Sequence, residues 1–219
     1  MKRISLWLPV IACLLVAFGG CSQELETREE RGENGELLKQ WTEKKDDVKG
    51  WVKHGEYSEW FKDGTMIERG NYQDGLKHGP WTSWRVNGTK SQEGTYDNDK
   101  KVGKWVTYHP SGKKWEEGVY LDGRKDGLWT SWFDEETRES EGSFVKGQRT
   151  GQWTWWYLNG SKRLEGVYEN GERSGEWNWW SEQGELKTFD PSAPPEDDAP
   201  PQIKIDSTVV KGSRKTIGG

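Results

Sequence analysis

Gly79-Pro80-Trp81-Thr82-Ser83-Trp84-Arg85-Val86-Asn87-Gly88-Thr89-Lys90-Ser91-Gln92-Glu93-Gly94-Thr95-Tyr96 is the stretch that decides the fold. Two aromatic-rich segments flank Asn87-Gly88, the residue pair preferred in a two-residue type I′ turn, so the stretch reads as a β-hairpin. With that turn, position numbers across the hairpin add to a constant. Trp81 then faces Gly94, and Gly79 faces Tyr96.

The pattern recurs with an unbroken 24-residue step. Gly55, Gly79, Gly103, Gly127, Gly151 and Gly175 mark it, and all but the first open Gly-x-Trp, giving Trp81, Trp105, Trp129, Trp153 and Trp177; Tyr57 fills the first slot. A second aromatic column holds Trp60, Trp84, Tyr108, Trp132, Trp156 and Trp180. A turn column holds Gly64, Gly88, Gly112, Gly160 and Gly184, with Glu136 as its exception. Gly-x-aromatic closes each repeat, as Gly70/Tyr72, Gly94/Tyr96, Gly118/Tyr120, Gly142/Phe144 and Gly166/Tyr168. Repeats this short stack into arrays in which each unit touches only its neighbours. There is no alanine between Gly55 and Gly184, and the chain carries 16 tryptophans and 28 glycines. That composition disfavours helices and suits pleated strands joined by tight turns. The reading is an all-β, elongated, single-layer antiparallel meander.

Pairing Tyr96 with Gly103 across the loop 97–102 places each glycine of the Gly94 column between two tryptophans, and each Tyr96-type ring between two glycines. Aromatic rings over cross-strand glycines restore contact area that a bare backbone forfeits, so one face is expected to be a self-packed lattice. Strand alternation sends Trp60, Trp84, Tyr108, Trp132, Trp156 and Trp180 to the second face, interrupted by Ser91, Trp115, Glu139 and Arg163 and flanked by Glu93, Glu117, Glu141 and Glu165. Trp115 joins those six aromatics as the candidate binding surface.

These residues resemble the MORN repeat family, specifically the bacterial variant in YwqK-like proteins, over about residues 51–188. The resemblance implies a twisted single-layer meander. It also implies functions: YwqK-like proteins are often catalogued as antitoxins, and some MORN proteins are associated with phospholipid. Trp where the family usually has Tyr in the second aromatic column is one departure. Glu136 in place of glycine is another, and it leaves the turn of the fourth hairpin open.

The termini read differently. Lys2 and Arg3 precede the apolar run Ile4 to Phe18, too short for a comfortable span and laid out as a secretory signal over residues 1–20. Phe18-Gly19-Gly20-Cys21 resembles a bacterial lipobox, with Phe18 where leucine is usual. That resemblance implies a Cys21 carrying three acyl chains, anchoring to the cell envelope and, with Ser22 next, delivery to the outer membrane of a Gram-negative cell. Two chains already suffice for durable attachment. Residues 21–50 are expected to form a tether with a degenerate hairpin around Asn34-Gly35 and Trp41. Residues 189–219 contain five of the chain's eight prolines and an acidic cluster, which predicts a disordered tail.

No motif for chemistry stands out. His54 and His78 share a column two strands apart, ~10 Å by strand spacing and too far for one metal; His109 lies in another column. There is no G-x-S-x-G, H-E-x-x-H or phosphate loop, and no cysteine outside the leader and its end. The sequence therefore points to a non-catalytic binding module with no cofactor and no metal. A net charge of −5 with interspersed signs argues against nucleic acid. The expected partners are a membrane through the lipid anchor and a protein on the aromatic row, with a cell-wall or surface glycan, a phospholipid, or a toxin as alternatives.

Overall fold

A computed structural model describes residues 24–187. Residues 1–23, with the signal and Cys21, and the tail from 188 onward lie outside the described residues. Among these, 14 strands follow chain order in one antiparallel sheet: β1 Leu25–Arg31, β2 Leu37–Asp46, β3 Gly50–Trp60, β4 Met66–Gln73, β5 Leu76–Trp84, β6 Lys90–Asp97, β7 Lys100–Tyr108, β8 Lys114–Leu121, β9 Arg124–Trp132, β10 Arg138–Val145, β11 Gln148–Trp156, β12 Lys162–Glu169, β13 Glu172–Trp180 and β14 Leu186–Lys187. The stretch from Leu25 to Asp46, expected to be largely tether, is a full first hairpin. Its strands β1 and β2 pair from Leu25↔Lys44 to Arg31↔Leu37.

The pairing inside the repeats is as the sequence implies: Gly79↔Tyr96 and Trp81↔Gly94, repeated as Gly103↔Tyr120 and Trp105↔Gly118. The turns that produce it are exchanged. At Asn87-Gly88 only the glycine has positive φ (80°), Gly88 N–H donates to Arg85 C=O, and Arg85 N–H to Thr89 C=O. This is a three-residue loop, a type I turn followed by a left-handed residue, in place of the expected type I′ turn. It shifts the register by one residue, and an irregularity between Ser83 and Trp84 restores it by making Ser91 an extra residue. The type I′ signature, positive φ at both central residues, occurs instead between repeats, at Asp74-Gly75, Asn98-Asp99, Asp122-Gly123, Lys146-Gly147 and Asn170-Gly171. Glu136 takes φ 68° and donates its N–H to Phe133 C=O, so the fourth hairpin keeps the same turn as its neighbours.

The connection between repeats corrects a second expectation. Tyr96 pairs with Lys101, not Gly103, and the register then jumps by two between Thr95 and Glu93. Gly103, Lys104 and Trp105 thus stand opposite the single residue Gly94, as a bulge of three residues against one. The two glycine columns consequently exist for different reasons. Gly103 has φ 64°, and a Cβ there would meet nothing within 4 Å, so backbone conformation selects it. At Gly94 the constraint is space: a Cβ would lie 2.2 Å from the Trp105 indole.

The indoles all lean the same way. Trp81, Trp105, Trp129, Trp153 and Trp177 lie over Gly70, Gly94, Gly118, Gly142 and Gly166, each glycine on the preceding strand. The first four donate Nε1–H to Asn71, Thr95, Val119 and Ser143 C=O at 3.0–3.1 Å. Burial is nearly complete at Trp81, which is 2% exposed. Tyr96, Tyr120, Phe144 and Tyr168 stand edge-on between successive indoles, and Tyr72 between Tyr57 and Trp81, with centroids 5.0–6.2 Å apart. Such edge-to-face pairs add to simple area burial. One aromatic ladder therefore runs across the sheet from Tyr57 to Trp177.

The Gly118→Ala variant tests this packing, because Gly118 lacks positive φ and its Cβ would sit 2.2 Å from the Trp129 ring. It should lose about 3 kcal/mol of stability through overpacking, read as a lower urea midpoint.

Candidate binding surface

The first face is closed by a column that sequence reading missed. Lys53, Lys77, Lys101, Lys125, Arg149 and Arg173 recur with the same 24-residue step. Each places its cation over the rings, with Lys77, Lys101 and Lys125 Nζ at 3.8–3.9 Å from the Trp81, Trp105 and Trp129 centroids. Arg149 and Arg173 lie 4.8 and 4.4 Å from Trp153 and Trp177. Partly desolvated contacts of this kind are worth about 1–2 kcal/mol each. Burial lowers the Lys53 and Lys101 ammonium groups below the ordinary lysine range. Lys77 is held by Glu68, Lys125 by Glu116 and Lys101 by Gln92. The periodic step was the available signal; ladder and cations together leave little of this face to a partner.

The second face is more open. Trp60, Trp84, Tyr108, Trp132, Trp156 and Trp180 are all half-buried, set along the edge that carries the Asn-Gly-type turns. Beside them runs a charged double row: Lys90–Glu93 and Lys114–Glu117 at 2.7 Å, Arg138–Glu141 at 3.4 Å, and Lys162–Glu165. These cations also reach the next repeat's ring, Lys114 over Trp132 at 4.9 Å, Arg138 over Trp156 at 5.3 Å and Lys162 over Trp180 at 5.7 Å. Tyr108 Oη donates to Glu93, while Thr130 and Thr154 hydroxyls donate to Glu141 and Glu165. Burial first, and then that carboxylate, push the Tyr108 phenol up to about 12.

The residues expected to interrupt the aromatic row lie elsewhere. The extra residue in each hairpin turns the column of Ser91, Trp115, Glu139 and Arg163 out of the second face. Trp115 packs its ring against His109 at 6.2 Å. Glu139, 7% exposed, interacts with Ser131, which pairs with Ser140 on the ladder side, and lies in the field of His109 and Arg163. Trp115 is therefore no member of the second-face row.

Farther along the second face, toward the type I′ turns, lies an aliphatic cluster that sequence reading did not single out. Val119, Leu121, Leu128 and Val145 are 45%, 63%, 58% and 52% exposed. Val119 faces Asp126 and Leu128 faces Ser143, which places the cluster across β8, β9 and β10. In the other repeats the same columns carry mostly polar residues, Asn71, Thr95, Ser143, Gln73, Asp97, Glu169, Lys104, Gln152 and Glu176, with Val167 and Pro80 as the exceptions. The apolar character is thus a local departure from the repeat.

Chemistry finds little footing here. His54 Nδ1 is 3.2 Å from Asp74, itself bound by Lys44, and His78 Nδ1 is 3.4 Å from Asp97. Among the described residues no group of three His, Cys, Asp or Glu side chains could hold a metal.

Fold and surface together define a repeat-built, single-sheet β-scaffold. Three segments, residues 53–74, 101–122 and 149–170, match the family described as MORN repeat variant. They are alternate hairpins, each running from a first-face cation (Lys53, Lys101, Arg149) to the first residue of a type I′ turn (Asp74, Asp122, Asn170). MORN repeats are in general protein- or membrane-binding modules, in keeping with a non-catalytic role. No curated protein matches the chain.

Glu139 yields a test of the local electrostatics. Burial raises its carboxyl above the ordinary value of 4.5, so the folded state binds the proton more readily than the unfolded chain, and stability falls as pH rises through that window. Glu139→Gln should raise the urea midpoint at pH 7, and the difference from wild type should shrink by pH 4.

Proposed function

We propose that this chain is an envelope-anchored, non-catalytic scaffold that holds a protein partner against the second face of its sheet. The observation that carries the reading is the exposed aliphatic cluster Val119, Leu121, Leu128 and Val145 in the middle of a sheet whose other repeats place mostly polar residues at those positions. In a repeat array, columns are interchangeable for folding, so exposed apolar departures concentrated in the central repeats favour contact with another molecule. The rigid sheet supports such a role by presenting the cluster at little ordering cost on binding. The sequence expectation centred the contact on the aromatic row; the aliphatic cluster is more exposed than those half-buried rings, which shifts the centre to the cluster.

The anchor half of the proposal rests on Lys2, Arg3, the apolar run and Cys21. Metabolic labelling with an acyl-chain precursor should mark the wild-type chain, and Cys21→Ala should lose the label and leave the membrane fraction. Retained label would refute lipidation at Cys21.

For the contact surface, a photo-crosslinker at Ser143, beside Leu128, should capture one reproducible protein in cells. Val119→Glu with Leu128→Glu should reduce that capture roughly tenfold or more, as expected for loss of a hot spot. Capture unaffected by both substitutions would reject the cluster as the contact.

A further inference from the structure

The aromatic row is left without a role by that reading, and its geometry has a specific complement. Its six members recur at every second strand, so successive rings stand ~10 Å apart along the sheet. Every ring from Tyr108 onward comes with the same polar set: a cation, a carboxylate and, for Thr130 and Thr154, a hydroxyl bonded to that carboxylate. The arrangement is one flat apolar surface plus one donor and one acceptor per repeat, at a fixed interval, on a backbone locked by the ladder of the opposite face.

We propose that this row is a platform for a linear β-1,4-linked glycan, one disaccharide per repeat. Two pyranose rings in such an extended chain cover the distance of two strand spacings. Successive rings of the row can therefore meet sugars presenting the same face. The C–H face of a pyranose stacks on an indole, and its equatorial hydroxyls find Glu117, Glu141 and Glu165 as acceptors and Lys114, Arg138 and Lys162 as donors. These cations rest on the rings through exposed, weak contacts, so they can slide aside and remain within reach of the hydroxyls. An α-1,4 chain coils, and cannot keep step with a straight row. The site lies along the opposite edge of the second face from the aliphatic cluster and goes beyond the proposed protein contact.

The test uses the full chain purified in a detergent without a sugar head group, titrated with cello- and chito-oligosaccharides of two, four and six units and with maltohexaose. Tryptophan fluorescence and calorimetry report binding. The expected result is affinity that climbs with each added β-linked disaccharide, with no binding of maltohexaose. Trp156→Ala and Trp180→Ala should each weaken the hexamer roughly tenfold, the loss of one stacking contact. Trp156→Phe should recover most of that loss, which separates stacking from misfolding, and unchanged circular dichroism checks the fold. Val119→Glu combined with Leu128→Glu, which reduces protein capture, should leave glycan affinity intact, so failure of either proposal is recognised separately. Absence of β-linked binding, equal binding of maltohexaose, affinity independent of length, or indifference to Trp156→Ala and Trp180→Ala would each overturn the platform.

Discussion

Everything in this sheet depends on an indole lying flat on a glycine of the preceding strand. A single-layer sheet has no second layer to exclude water from its backbone and side chains, and so must make its core from its own surface. The Trp105 ring does this by occupying the space a Cβ at Gly94 would need, while its N–H satisfies the Thr95 carbonyl beside the bulge. Trp81 is 2% exposed in consequence, without any element packed above it. The bulge at Gly103 is the other half of the device, since it swings the Trp105 side chain into place. Adding the edge-on tyrosines and the cations above them completes a core only one side chain deep.

This closure sets what the molecule can offer to others. The first face spends its aromatics, lysines and arginines on itself. The second face keeps half-buried rings, paired charges and an aliphatic cluster, and it is held rigid by the face beneath. Turn-to-turn contacts add to that rigidity, with Gly75, Asp99, Gly123, Gly147 and Gly171 each donating N–H to the Lys53, Lys77, Lys101, Lys125 and Arg149 carbonyls one repeat back. Binding by such a surface would require little rearrangement, because its columns are fixed by backbone hydrogen bonds and not by loops.

Two compensating irregularities preserve, within each hairpin, the pairing that a type I′ turn would give. The Asn87-Gly88 turn is one residue longer than a type I′ turn, and Ser91 is one residue in excess, so Trp81 still meets Gly94. The face of the extra residue does not survive the same cancellation, so Trp115 and Glu139 lie off the second face on which simple alternation places them. A side chain's face flips with each one-residue slip, so pairing sums can be right while a local face is wrong. Glu136 shows the opposite case: a residue with no glycine character adopts the left-handed turn because the flanking ladders demand it.

The sequence by itself determined the strand content, the 24-residue step, the order of strands and the Trp/Gly pairing, because periodicity and composition act locally and identically in every repeat. It also carried, in plain view, the cation column at Lys53 through Arg173, whose purpose no spacing rule reveals. Only the tertiary structure decided which turn is which, which way every indole leans, and which glycines are required by φ and which by space. Those choices depend on how neighbouring hairpins twist against one another. The exposed cluster of Val119, Leu121, Leu128 and Val145 belongs to the same category: four aliphatic residues scattered in sequence become one surface only after the bulges have set their common face.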